Sequence, residues 1–146
     1  MSASNLFETA LLNNIFNNST IANIGDATGL RGSTTAGSLY VALCTADPTE
    51  AGTGSSMSET TYTNYARVAV ARTSGGWTIS GNTVSNTGTI TFPTCGTTGA
   101  TVTYFAICDS STGGGLLFSG ALTSSLAVSS GVTPTFAASA LTTTAD

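Results

Sequence analysis

Few residues in this chain of 146 carry groups that could do chemistry. Asp47, Glu50, Glu59 and Asp109 all fall in polar turns or loops, and a carboxylate pair such as Asp47 and Glu50 is of the kind used in acid–base hydrolysis. Spacing alone does not separate such a pair from ordinary solvated loop acids. Serine and threonine abound, yet there is no histidine and no lysine to serve as their base. Cys44, Cys95 and Cys108 are odd in number and lack C-x-x-C spacing. Cys44 and Cys108 lie inside apolar runs, where a thiol behaves as a small buried hydrophobe. A mixed zinc site lacks its histidine, and no run of oxygen ligands resembles an EF-hand loop. The expectation is no catalytic residue, no cofactor, no metal site and no small-molecule substrate.

A glycine loop is the remaining chemical candidate. "TVTYFAICDSSTGGGLLFSGAL" (101–122) sets two apolar runs on either side of Asp109 to Gly115, ending in three glycines. A phosphate-cradling loop needs a strand before it, a helix after it and usually a lysine. Here Leu116 to Gly120 reads as a second strand, so the glycines are expected to close a hairpin by adopting positive φ.

The elements that must position these residues are mostly strands. Charged residues make up 7% of the chain and the net charge is -4, with Arg31, Arg67 and Arg72 as the cations. Three arginines cannot build a basic patch, which argues against a nucleic-acid partner. An N-terminal helix is expected from Phe7, Leu11 and Ile15 at i+4 spacing, with Leu12 and Phe16 beside them. Asn5 and Glu8 resemble its capping box, and residues 17–20 its end. The helix is expected to lie on its own sheet or on a neighbouring subunit.

"SLYVALC" (38–44) predicts a strand buried on both faces, and residues 49–64 a long polar loop suited to partner contacts. Further strands follow, with turns at Gly75-Gly76 and Gly81-Asn82 and further apolar runs at Ile90/Phe92 and Leu126/Val128. Seven or eight short strands predict a mainly β fold, an antiparallel β-sandwich or jelly roll with one N-terminal amphipathic helix. Residues 1–20 form a helical arm in this reading, and 21–146 a single β domain. "MSASNLFETALLNN" lacks the pattern of a signal peptide, and no run reaches the ~20 apolar residues of a membrane helix.

Arg67 and Arg72 flank the strand "VAVA". They read either as guards of a strand edge or as forked contacts to carboxylates on a partner. Trp77 is expected in the core.

Several blocks in order, "SLYVALCTADPTEAGT" (38–53), "YARVAV" (65–70), "ITFP" (90–93), "ATVTYFAICDSSTGGGLLFSGALT" (100–123) and "GVTPTFAASALTTTAD" (131–146), resemble a family of small tailed-phage virion proteins. That family is often called tail-fibre-like and includes capsid cement or decoration proteins. The resemblance implies a non-enzymatic structural role on a virion, with synthesis in the bacterial host cytoplasm. The leading expectation is a cement protein bound at junctions between major capsid protein subunits, as a dimer or trimer. The alternative is a tail-fibre or tail-associated protein that links to the baseplate or contacts the host surface. A carboxylate-based hydrolase or lectin-like module is the third reading. Expected partner contacts are Phe7, Leu11, Ile15, Tyr62, Tyr65, Arg67 and Arg72.

Overall fold

A computed structural model describes residues 3–25, 28–30 and 32–145. Met1 and Ser2 of the expected helical arm, Arg31 of the glycine-rich loop and Asp146 of the tail lie outside the described residues. The fold is mainly β, with one N-terminal helix and three antiparallel sheets.

Helix α1 spans Asn5–Asn17. Its N-cap is Ser4, one residue earlier than the sequence predicts: the Ser4 hydroxyl accepts from the Phe7 amide at 3.3 Å. Glu8 therefore stands one position too far along to close a capping box with it. Asn18 ends the helix in the left-handed conformation, φ 55°, returning its amide to the Asn13 carbonyl.

Nine strands follow among the described residues: β1 (Ser38–Cys44), β2 (Val68–Ala71), β3 (Trp77–Ser80), β4 (Thr83–Asn86), β5 (Ile90–Thr91), β6 (Ala100–Cys108), β7 (Leu116–Val128), β8 (Thr135–Phe136) and β9 (Thr142–Thr144). The largest sheet runs β2-β1-β6-β7, the next β3-β4-β9, and β5 pairs with β8. Turns stand at Gly75-Gly76 and at Gly81-Asn82, as expected. The expected separate run at Leu126 and Val128 is instead the far end of β7. Two irregularities in its pairing with β6 hid that continuity: Val102 faces Leu126 while Tyr104 faces Ala121, and a second shift sets Leu117 out of register.

The chain divides into two compact units. The first comprises residues 3–25, 28–30, 32–38, 70–89 and 137–145 as described. In it α1 packs on β3 and β4, burying Leu12 and Phe16, and Phe16 meets the edge of Trp77 at 4.9 Å between ring centroids. Trp77 is fully buried, as expected. The helix face turned inward is Glu8, Leu12 and Phe16, rotated from the expected stripe; Phe7 is 40% exposed, while Leu11 and Ile15 are half-buried. Buried Asn86 fastens the C-terminal segment. Its amide donates to the carbonyls of Gly88 and Ala137, and its side-chain oxygen accepts from the Leu141 amide.

The second unit comprises residues 39–69 and 90–136. Val41 to Cys44 are buried on both faces of β1, and Phe105 to Cys108 likewise on β6, with Val41 opposite Ile107 and Leu43 opposite Phe105. Ala42, Cys44, Met57, Ala106 and Cys108 form one buried cluster. Cys44, Cys95 and Cys108 are free thiols and all are buried. Loss of solvent pushes the Cys44 thiol up to about 12 and raises Cys108 as well.

Candidate functional site

The hairpin tip between β6 and β7 does wrap a polar group, and that group is an arginine of the same chain. Asp109 braces the tip by accepting from the Gly115 amide at 2.8 Å. Gly113 and Gly114 take positive φ, 57° and 73°. A side chain at Gly114 would also collide with the Asp109 carboxylate. The bend turns the carbonyls of Ser110 and Gly113 toward one point, where both accept from Arg67 Nη1, at 2.8 and 2.9 Å.

The rest of the guanidinium is used within the same unit. Nε donates to Glu59 Oε1 at 2.8 Å, and Nη2 donates to Glu59 Oε2 and to the Gly54 carbonyl, both at 2.7 Å. All five N–H groups of the fork are thus satisfied. The arginine side chain is 2% exposed and the glutamate 23%. The hydrogen bonds to Glu59 raise the Arg67 pKa further, against the opposing effect of burial. Tyr65 completes the cluster: its hydroxyl donates to Glu59 Oε1 at 2.7 Å and accepts from the Leu43 amide at 3.1 Å. Burial first, and then the bond to Glu59, raise its phenol well above the ordinary value.

The polar loop 49–64 is held in place by this cluster. Glu59 forms a bridge with Cys44, the Thr45 amide donates to the Ser58 carbonyl, and the Gly54 amide donates to the Gly114 carbonyl at 2.9 Å. The 49–64 loop and the hairpin tip, whose Gly113 lies 46 residues from Arg67 in sequence, therefore meet on one ion pair. Beside it opens a cleft of about 500 Å³, lined in part by Glu59, Tyr65, Ala66, Ser111 and Thr112.

The other expected contact residues are scattered. Tyr62 is 2% exposed, donates to the Pro93 carbonyl at 2.9 Å and meets Tyr65 edge-on. It is a core residue, and burial raises its phenol pKa. Arg72 closes the C-terminal end of α1, donating to the carbonyls of Asn14 at 2.8 Å and Ile15 at 2.6 Å, and also to Ala36. A cation at that end meets the negative pole of the helix. Phe7, Leu11 and Ile15 belong to the first unit and Tyr65 and Arg67 to the second. Sequence reasoning missed Gly54, Ser110 and the carbonyl of Gly113 as arginine ligands, and no residue type marks a carbonyl for that role.

Among the described residues, no group of three or more Cys, Asp or Glu side chains could hold a metal ion, and no helix is long and apolar enough to cross a membrane. A family model described as podophage GP4 fiber I protein gp80 matches residues 2–144. No curated protein matches the chain.

Proposed function

Since this chain belongs to the family of the podophage GP4 fiber I protein gp80, we propose that it is a tail-fibre component that contacts the host surface or ties the fibre to the baseplate. The observation that carries this reading is the extent of the match, residues 2–144, which takes in α1 and every strand. As a member of a fibre family the chain is a virion component. The family description favours the fibre over the shell, so the cement role expected first from sequence gives way to its alternative.

The chemistry of the chain supports a structural role in that setting. Its two described arginines are engaged in holding the fold, Arg67 between the 49–64 loop and the hairpin tip and Arg72 at a helix end. The thiols are sealed from solvent, which suits a protein that must persist outside a cell without cross-links. Leu6, 82% exposed, and Phe7 offer an apolar surface for a neighbouring subunit. Copy number in purified particles tests the assignment. Quantitative mass spectrometry against the major shell protein should give a handful of copies, and stoichiometry approaching that of the shell would overturn it.

A further inference from the structure

The geometry points to the cleft beside the Arg67–Glu59 pair as a binding site for a neutral saccharide unit. The pair decides the charge of the ligand. Every Arg67 N–H is already donated within the chain, so an anion entering the cleft finds no free guanidinium donor. The two formal charges of the pair cancel, so a cation gains no net attraction.

Glu59 decides the polarity. Among the described residues, Oε1 accepts from Tyr65 and from Arg67, whereas Oε2 accepts from Arg67 alone. A carboxylate oxygen has room for two such bonds, and Glu59 keeps 23% of its side chain exposed. One acceptor position is therefore open to a ligand hydroxyl. Ser111 and Thr112 are wall residues of the same cleft and add hydroxyls that donate or accept. Thr60 Oγ1, in the same wall, is buried without a hydrogen-bond partner among the described residues. Tyr65 and Ala66 supply apolar surface.

A hydroxyl-rich edge beside an apolar surface matches a pyranose ring, which has hydroxyls at its rim and C–H groups on its faces. A cleft of about 500 Å³ is of the size that binds such small ligands. The sugar is held as a ligand and not transformed. Its origin on a cell surface rests on the fibre reading; the chemistry of the cleft does not.

The test is an amide NMR titration of the full chain with glucose, galactose and N-acetylglucosamine, and with N-acetylneuraminic acid and glucosamine as charged comparators. At least one neutral sugar should shift the amides of Ala66, Ser111, Thr112 and Gly113, with a Kd on the order of 1 mM. Ala66→Trp, at an exposed position whose side chain takes no part in the hydrogen bonds of the ion pair, should weaken that binding at least tenfold while the remaining spectrum stays folded. Unmoved amides with all three neutral sugars, stronger binding of a charged comparator, or indifference to Ala66→Trp would each overturn the site. In a second arm, polysaccharide extracted from a susceptible bacterium competes for the same amides. Competition supports the site with a cell-surface source, and its absence alongside monosaccharide binding supports the site with free sugar as the source. None of these outcomes bears on where the chain sits in the particle, which copy number measures separately.

Discussion

Arg67 shows how much one side chain can organise. It joins the 49–64 loop to the hairpin tip through Glu59, Gly54, Ser110 and Gly113, and it is almost wholly buried. Removing one partner of such a pair leaves an uncompensated carboxylate and three carbonyls without donors. Arg67→Met should therefore lower the unfolding free energy by about 3–5 kcal/mol in urea titrations. Arg67→Lys should recover only part of that loss, because an ammonium cannot reproduce the planar fork. A loss below about 1 kcal/mol for Arg67→Met would mean the cluster contributes no more than an exposed pair.

The buried thiols make a second prediction at this scale. Cys44 holds its proton up to about 12 in the fold, against 9.0 in the unfolded chain. Below pH 9 both states are protonated and stability does not depend on this group. Above it the unfolded chain loses its proton first, so stability falls as pH rises, by up to about 1.4 kcal/mol per pH unit. Tyr65, also raised, acts in the same direction above its own ordinary value of 10.0. Urea midpoints taken from neutral to strongly alkaline pH should decline above 9, and a flat profile would contradict the burial. The inertness of Cys44 and Cys108 was legible from their apolar neighbours. The destinations of Arg67 and Arg72 were not, since their acceptors lie up to 46 and 58 residues away in sequence.

At the scale of elements, local signals read well and rotational ones did not. The helix, its end and the glycine turns follow from residue type and φ, as does the hairpin at Gly113 and Gly114. Which side of α1 faces inward depends on what it meets. Leu12 and Phe16 are buried, Phe16 against Trp77, and that leaves Leu6 and Phe7 outside. Leu12→Ala should cost about 2–5 kcal/mol and shift the emission of Trp77, the chain's single tryptophan, to the red. Leu6→Ser should change stability by less than about 0.5 kcal/mol and act, if at all, on self-association by sedimentation. Equal costs for the two would mean that the helix is seated on the wrong face. The continuity of β7 escaped sequence reading for a related reason: bulges break the alternation that marks a single strand.

For the whole molecule, chain order is a poor guide to assembly. Residues 70–89 and 137–145 return to the N-terminal helix, with Asn86 fastening the last segment. Such long-range closure leaves no periodic mark in the sequence. The fold class was legible because charge is scarce and turn signals are frequent. The family was legible from blocks that run the length of the β region. A chain proposed to work on the fibre of a phage can be located by labelling intact virions with a gold-conjugated antibody to this protein. Gold confined to the tail appendages is the predicted result, and gold spread evenly over the shell would contradict it.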